Sequence, residues 1–188
     1  MPQPDTATLA FMGCRRSHPA KLLTGPAPTR AELARLLELA VRVPDHGKLE
    51  PWRFVVLERA TLDRLAPVLA AHVAAQGGDA VVIEKARSGF ASPVIVAVVS
   101  TPAANPKIPE WEQFLSAGAV CLELLNAALA SGLGAAWLTG PATDPAFARA
   151  HLGIAEGERI AGLIHIGQSG AAPSDRPRPD VAAKTTYL

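Results

Sequence analysis

The sequence predicts one domain, residues 1–188, in which helices and strands alternate. Its 188 residues lie within the usual length of a single domain, roughly 100–200 residues. Neither a linker nor an internal repeat divides the chain. Hydrophobic residues make up 49% of the chain and charged residues 19%, a composition that excludes intrinsic disorder. A continuous apolar run at residues 93–99 predicts a strand that is covered on both faces.

The first half of the chain contains local signals for three helices and one strand. Asp5 or Thr6 can cap the first helix. Thr29 and Glu32 have the spacing of a capping box and open the second helix, which Pro44 stops. The predicted elements are helices that end at about residues 15, 42 and 75, and a strand at residues 53–57.

The second half of the chain continues the alternation. Asp144 and Pro145 provide an N-cap and a first-turn proline for a short helix, which Gly153 closes. The final segment, residues 167–188, contains three prolines and is predicted to be an extended arm. The other predicted elements are a long helix at about residues 109–131, a short strand broken by Gly140, and strands at residues 93–99 and 159–166.

The long helix is apolar around its whole circumference. Beyond Glu112, its only charged residue is Glu123. A helix that is apolar all round must be buried all round. It can lie at the centre of the domain or at a subunit interface, and the extended arm favours the interface because such a tail needs a surface to lie on.

Charge and composition limit the partners. The chain has 18 lysines and arginines against 17 acidic residues, so we expect no nucleic-acid partner. The uncharged, apolar-looking stretch at residues 89–106 contains three prolines, and the first 16 residues lack the order of a signal peptide. We therefore expect no membrane association and a cytoplasmic location. Cys14 and Cys121 fit no metal or redox spacing and are expected to be buried, reduced thiols.

Three segments concentrate polar groups where a helix or strand ends. Residues 14–18 include Arg-Arg-Ser, which can hold a phosphate or can offset a helix dipole. Residues 42–52 form a loop braced by prolines, which is either a functional loop or a polar surface turn. Residues 131–141 combine glycines with a short strand, and a helix end followed by a core strand also explains them. His165 lies in an apolar strand, where a sheet-face histidine is favoured over a catalytic one.

In this order the segments resemble a known family. The more specific pieces are Arg-Arg-Ser at residues 15–17 and the Pro-Trp strand entry at residues 51–52. The other matching pieces are Val43–His46, Lys107–Gln113, Ser116–Gly118, Gly132–Gly134 with Trp137, Ile166-Gly167, and the tail that ends Thr186-Tyr187-Leu188. Together they resemble the FMN-dependent nitroreductases, in particular the short branch of NAD(P)H nitroreductases, over nearly the whole chain.

The resemblance implies an α+β fold with a central, mostly antiparallel sheet flanked by helices. It also implies an intertwined homodimer with an extended C-terminal arm and one FMN at each of two interface sites. By match to the family's motifs, the FMN-binding residues would be Arg15, Arg16 and Ser17 at the phosphate and ribityl end, Arg42 and His46 from the partner subunit, and Trp137, Leu138, Thr139 and Gly140 along the isoalloxazine.

This sequence departs from the family pattern at two positions. Many relatives have a basic residue two places after the motif serine, near the N1–O2 edge of the flavin, where this chain has Pro19. Lys21 is expected to supply that charge instead. Leu138 stands where close relatives have a polar or basic residue. This difference affects how the charge of a phosphate or nicotinamide ligand is balanced.

The resemblance implies an oxidoreductase that needs no protein nucleophile. NADH or NADPH would pass hydride to the flavin N5 atom, and a small nitroaromatic or quinone would then enter the same slot, which gives ping-pong kinetics. Reductive dehalogenation and flavin breakdown are alternative reactions on this fold. A flavin carrier or sensor without turnover, or a dimeric scaffold without a ligand, are alternatives from other functional classes.

Overall fold

An antiparallel sheet of four strands forms the centre of the protein. The computed structural model describes residues 3–170 and 173–188. Within these ranges the strands are β1 (Trp52–Glu58), β2 (Val94–Ser100), β3 (Gly134–Leu138) and β4 (Arg159–Gly167). They lie in the order β1-β2-β4-β3, and every neighbouring pair is antiparallel. The helices are α1 (Thr6–Cys14), α2 (Arg30–Ala40), α3 (Arg59–Ala75), α4 (Ala80–Ser88), α5 (Glu110–Ala130) and α6 (Pro145–His151). The α+β class and the antiparallel sheet are confirmed.

Side-chain caps begin the helices at the predicted positions. The Asp5 carboxylate accepts a hydrogen bond from the Thr8 N–H at 3.0 Å, so Asp5 rather than Thr6 caps α1. Thr29 and Glu32 form the reciprocal capping box of α2, with the Glu32 carboxylate 2.8 Å from the Thr29 nitrogen. Asp144 accepts hydrogen bonds from the first turn of α6. These contacts satisfy backbone donors that the first helical turn leaves without a partner.

Helix α4 is the element that the sequence patterns missed. Asp79 caps it by accepting from the Val82 N–H at 2.9 Å. The helix follows directly on the glycine pair that ends α3, and three of its first four residues are exposed apolar or small residues. Its nine residues carry too little of the 3.6-residue apolar period to be distinguished from a loop, although Asp79 was an available cap signal.

The two faces of the sheet carry different helices. On one face α2 and α5 pack against residues such as Val96, Val98 and Ile164. On the opposite face α3, α4 and α6 pack against Ile95 and Leu163, among others. Every residue of β2 is buried, which confirms a strand covered on both faces.

Helix α5 is buried on one side only. Val120 and Leu124 are fully buried against the sheet, whereas Leu115 is 62% exposed and Leu122 is 45% exposed. Among the described residues, α5 alone has the length and hydropathy that a membrane crossing requires, and half of its most apolar 18 residues are buried inside the protein. Core helices have the same composition. The central-helix interpretation therefore accounts for one face of α5 and leaves the other face without cover in this protomer.

The C-terminal arm is extended and exposed. Residues 174–188 are exposed, with a single short turn at Ala182–Lys184. Residues 171–172 of the predicted arm lie outside the described residues. At the start of the arm, Gln168 pairs with Thr24 through two backbone hydrogen bonds of 3.0 and 2.8 Å. The extended conformation predicted from the prolines is confirmed for the described part.

Candidate functional site

The Arg-Arg-Ser segment lies beside the start of strand β3. Helix α1 ends at Cys14, and four residues later the His18 N–H donates to the Ala135 carbonyl at 2.8 Å. That bond holds the intervening residues next to the edge of the sheet. Arg15, Arg16 and Ser17 therefore lie near one end of β3, and residues 138–140 lie at the other end.

Arg15 and Ser17 form a donor pair with unused capacity. An Arg15 Nη atom lies 3.5 Å from the Ser17 hydroxyl. The Arg15 Nε atom is buried and has no hydrogen-bond partner among the described residues. A buried donor without a partner costs about 1–3 kcal/mol. The segment therefore presents a guanidinium that an additional acceptor would stabilise.

Arg16 already contacts oxygen acceptors from the C-terminal arm. Its guanidinium donates to the Ser174 carbonyl and lies 3.3 Å from an oxygen of the Asp175 carboxylate. A hydrogen bond from the Arg176 N–H and the charges of Arg178 and Arg16 hold the pKa of Asp175 below its usual value. The donor group of Arg16 is thus oriented toward an anionic oxygen.

Two adjoining cavities lie along this segment. The smaller one, of about 490 Å³, is lined by Arg16 and Ser17 together with residues of the arm. The larger one, of about 600 Å³, is lined by Lys21 and by residues 138–142. Pro19 lines both cavities, so they meet at that residue. We call them the arginine cavity and the sheet cavity.

The register of the sheet builds the floor of the sheet cavity. Leu138 pairs with Leu163, and Ala136 pairs with His165, so these side chains share one face of the sheet. Leu138, Leu163 and His165 line the cavity from that face. Gly140, which follows β3, has a φ of 150° that favours glycine, and a Cβ there would meet open space. The peptide backbone at this end of β3 is therefore accessible from the cavity.

The sheet cavity is apolar with two cationic groups. Lys21 and Lys85 line it, and no carboxylate does among the described residues. At the floor, His165 is 3% exposed, and its Nδ1 atom lies 2.9 Å from the Ser92 hydroxyl. Burial lowers the pKa of His165 to about 4, so its imidazole is neutral at pH 7. The cavity suits an aromatic ligand that carries or develops negative charge.

Trp137 lies on the other side of β3. It occupies the alternate position to Leu138, and a Cβ at residue 162 would collide with its indole and lie 2.9 Å from the Cys121 sulfur. Burial raises the pKa of Cys121 to about 12, so that thiol is unreactive. The prediction that both cysteines are buried is confirmed for Cys121 and wrong for Cys14, which is exposed at the end of α1. Of the residues predicted along the isoalloxazine, the structure brings Leu138, Thr139 and Gly140 together with Lys21 and places Trp137 on the face toward α5.

The second predicted loop lies apart from both cavities. Arg42 is exposed, and the His46 Nδ1 atom lies 2.7 Å from a Glu112 carboxylate oxygen on α5. Asp45 braces the loop by accepting backbone hydrogen bonds from residues 49 and 50. Neither Arg42 nor His46 lines the arginine cavity or the sheet cavity. One protomer alone therefore does not unite them with the other predicted site residues.

Among the polar residues that line the sheet cavity, Lys85, Ser92 and His165 were not selected as site residues from the sequence. Lys85 lies on α4, the helix that was missed. Ser92 precedes β2, and its hydroxyl contacts His165, which is 73 residues away in the chain. His165 is a hydrogen-bonded sheet-face histidine, as predicted, but it also faces the cavity. Their assembly depends on strand register, for which the sequence carries no local motif.

Comparisons with known proteins agree with one another. The model of the nitroreductase family matches residues 14–168. "Putative NAD(P)H nitroreductase YdjA" of Escherichia coli (strain K12) is 38% identical over 176 residues, which cover 93% of this chain and 95% of that protein. "Putative NAD(P)H nitroreductase" of Haemophilus influenzae is 35% identical over 184 residues, 96% of this chain and 98% of that protein.

Solved structures share the fold at lower identity. The nitroreductase-like family protein of Bacillus cereus superposes with a TM-score of 0.78 at 24% identity. The superposition covers 100% of this chain and 99% of that protein. A nitroreductase of Bacteroides fragilis with bound FMN superposes with a TM-score of 0.77 at 20% identity, over 98% of this chain and 100% of that protein. These likenesses show the fold.

Proposed function

Because the chain belongs to the nitroreductase family, we propose that it is an FMN-dependent oxidoreductase that takes hydride from NADH or NADPH and reduces nitroaromatic or quinone-type acceptors. One observation supports this most. Four residues expected at the flavin ring, Lys21, Leu138, Thr139 and Gly140, line a single cavity. That cavity adjoins the one lined by Arg16 and Ser17, which are expected at the phosphate end. The two ends of an elongated cofactor thus have contiguous places.

The donors around Arg15 fit a phosphate. The buried Arg15 Nε has no partner among the described residues, and the Ser17 hydroxyl lies beside the same guanidinium. Arg16 already holds carbonyl and carboxylate oxygens of the arm, which are the acceptor types that a phosphate would replace. Guanidinium groups bind such oxygens through charge-assisted hydrogen bonds. We therefore assign the phosphate and ribityl end to Arg15, Arg16 and Ser17.

The sheet cavity fits the ring system. Its walls include the apolar side chains of Leu69, Leu138 and Leu163, which suit a flat aromatic body. When bound, FMN supplies hydride transfer between NAD(P)H and an acceptor through its N5 atom. Lys21 contributes a positive charge that stabilises anionic character on the ring, in place of the basic residue that Pro19 replaces. Reductant and acceptor use one slot in turn, so we expect ping-pong kinetics.

The exposed side of α5 supports a homodimer. Trp111, Leu115 and Leu122 form an apolar strip on α5, and Leu9 and Met12 are exposed on α1. Large exposed apolar patches commonly mark protein interfaces. His46 contacts α5 through Glu112, so the loop that carries Arg42 and His46 borders this strip and would be part of the interface. We propose that residues 1–188 form one domain and that two copies form the functional unit.

The test of the proposed function is flavin content. The purified protein is expected to be yellow or to take up added FMN, with continuous NADPH oxidation when a nitroaromatic acceptor is present. A carrier or sensor would be reduced once and then stop. A colourless protein that does not bind added FMN would contradict the proposal, and so would a flavoprotein that never turns over.

A double variant tests the assignment of the phosphate to Arg15 and Arg16. Replacing Arg15 and Arg16 with alanine is expected to weaken FMN binding roughly 100-fold or more, since hydrogen bonds to charged groups contribute about 1.5–3 kcal/mol each. Equilibrium titration of flavin fluorescence measures the loss. The charge-matched control replaces Arg35 and Arg64, which are exposed, with alanine. Both double variants should sediment as dimers; undiminished FMN affinity in the first would place the phosphate elsewhere.

A further inference from the structure

The polar floor of the sheet cavity is a pair of buried side chains with a defined hydrogen-bond pattern. The Ser92 hydroxyl is 1% exposed and contacts two groups, the Ala20 carbonyl at 3.3 Å and the His165 Nδ1 atom at 2.9 Å. A hydroxyl has one proton to donate, and a carbonyl can only accept. Both contacts are satisfied at once when Ser92 donates to Ala20 and His165 donates its Nδ1 proton to Ser92.

This arrangement determines what His165 can offer to a ligand. A neutral imidazole with its proton on Nδ1 has a lone pair on Nε2. Burial keeps the ring neutral at pH 7 by lowering its pKa to about 4. Since Ser92 engages Nδ1, Nε2 is the remaining polar atom of a side chain that lines the cavity. The floor therefore presents a hydrogen-bond acceptor, with the ammonium donors of Lys21 and Lys85 on the same cavity.

We propose that the Nε2 atom of His165 accepts a hydrogen bond from the imide N3–H of the bound flavin, an inference that rests on the proposed function. The imide edge of an isoalloxazine carries one N–H donor between two carbonyl acceptors. The cavity offers the complementary set, one acceptor from His165 and donors from Lys21 and Lys85. His165 is thus a residue that binds and orients the cofactor, and Ser92 positions it.

The test uses two flavins, FMN and 3-methyl-FMN, whose imide proton is replaced by a methyl group. A hydrogen bond of this kind contributes about 0.5–1.5 kcal/mol, so the wild-type protein should bind 3-methyl-FMN roughly three- to tenfold more weakly than FMN. Affinity is measured by flavin fluorescence, without turnover. Equal affinity of the wild-type protein for the two flavins would overturn the inference with no variant needed.

Two substitutions separate the hydrogen bond from simple steric exclusion. His165→Leu has a similar volume and no acceptor, so FMN should bind about three- to tenfold more weakly and the effect of methylation should fall below about twofold. His165→Gln keeps an acceptor and should remain within about threefold of wild type for FMN. An unchanged methylation effect in His165→Leu would mean that the methyl group is merely too large, and the inference would fail.

A third variant, Ser92→Ala, keeps the inference testable if His165→Leu does not fold. The outcomes also distinguish this inference from the proposed function. Ser92→Ala frees Nδ1, so the imidazole can place its proton on either nitrogen and the methylation effect should shrink. If His165→Leu does not fold by circular dichroism, the wild-type and Ser92→Ala measurements decide. Wild-type protein that binds no FMN overturns the proposed function. Protein that binds FMN with no dependence on the imide proton or on His165 overturns this inference alone.

Discussion

The two faces of the central sheet use the same strands for different purposes. On the α5 face, a helix of 21 residues covers the sheet together with α2, and Val120, Cys121 and Leu124 on it are fully buried. On the opposite face, α4 has only nine residues, and a cavity of about 600 Å³ opens between it, Lys21 and the end of β3. The long helix α5 fills the part of the sheet that it crosses, whereas the short helix α4 leaves room for a ligand beside the end of β3.

The faces also differ in where their buried polar side chains point. On α5, Gln113 and Ser116 donate to backbone carbonyls of neighbouring loops, whereas the polar pair of the opposite face lines a cavity. Ser92 and His165, two of the buried polar side chains, lie on the cavity face and contact each other. The α5 face contributes the Cys121 thiol, whose pKa is raised to about 12 by burial and which behaves as a small apolar group. We infer that the α5 face provides most of the stability and the cavity face provides the chemistry. Three measurements test that division.

The largest effect is expected from matched leucine truncations on the two faces. Leu124→Ala on α5 should lower the free energy of unfolding by about 4 kcal/mol, since Leu124 is fully buried in the close-packed core. Leu69→Ala should cost about 2 kcal/mol because Leu69, although only 2% exposed, lines the sheet cavity and has fewer neighbours to lose.

Urea denaturation of both variants at one protein concentration measures the difference. Equal losses would show that the cavity face is packed as tightly as the α5 face. A larger loss for Leu69→Ala would reverse the division altogether.

Acidification is expected to act through the cavity face. The folded protein holds His165 neutral down to a pKa of about 4, whereas an unfolded chain protonates its histidine near pH 6.5. Below pH 6.5 the unfolded state therefore binds more protons, and stability falls as the pH drops from about 6.5 to 4. The full loss from this group is roughly 3 kcal/mol, from 1.36 kcal/mol for each pKa unit.

Chemical denaturation of the flavin-free protein at several pH values measures this slope. His165→Gln should remove most of it, and His151→Gln, at an exposed position, should leave it in place. The pH dependence of His165→Gln gives the contribution of all other groups. If wild-type protein loses no more stability than this variant between pH 7 and pH 4.5, the neutral buried histidine is contradicted.

Local signals predicted the fold better than they predicted the site. The caps at Asp5, Thr29 and Asp144 and the apolar run of β2 act within a few residues, so the sequence alone locates them. Helix α4 escaped because its apolar period is short. Alternation along β3 could have indicated that Trp137 and Leu138 face opposite sides, since successive strand residues do so.

The site depends on contacts between distant parts of the chain. Ser92 and His165 meet because β2 pairs with β4, where Ile95 stands opposite His165. Nothing near either residue in the sequence encodes that register. The resemblance to nitroreductases supplied Arg15, Ser17 and Leu138 through short motifs, but Lys85 and His165 became candidates only through the cavity that they line.

The smallest effect is expected at the far end of the cavity face. Arg53 on β1 makes paired hydrogen bonds of 2.8 and 2.6 Å to the Glu158 carboxylate, just before β4. The side-chain hydrogen bond from Arg53 holds the pKa of Glu158 below its usual value. Since the folded pKa is lowered, the bridge stabilises the protein above about pH 4.5 and is lost as the pH falls through the folded pKa.

Glu158→Gln should therefore cost about 1 kcal/mol at pH 7, because both side chains are partly exposed and solvent weakens the pair. The deficit should vanish as wild-type Glu158 itself becomes protonated in acid. Glu156→Gln, two residues away and exposed, is the control and should change stability by less than about 0.5 kcal/mol. A deficit that persists unchanged in acid would mean that Glu158 acts through its shape and through the hydrogen bond that it accepts from the Ala155 N–H. In that case the cavity face would be held by packing and neutral hydrogen bonds at this end, as the α5 face is.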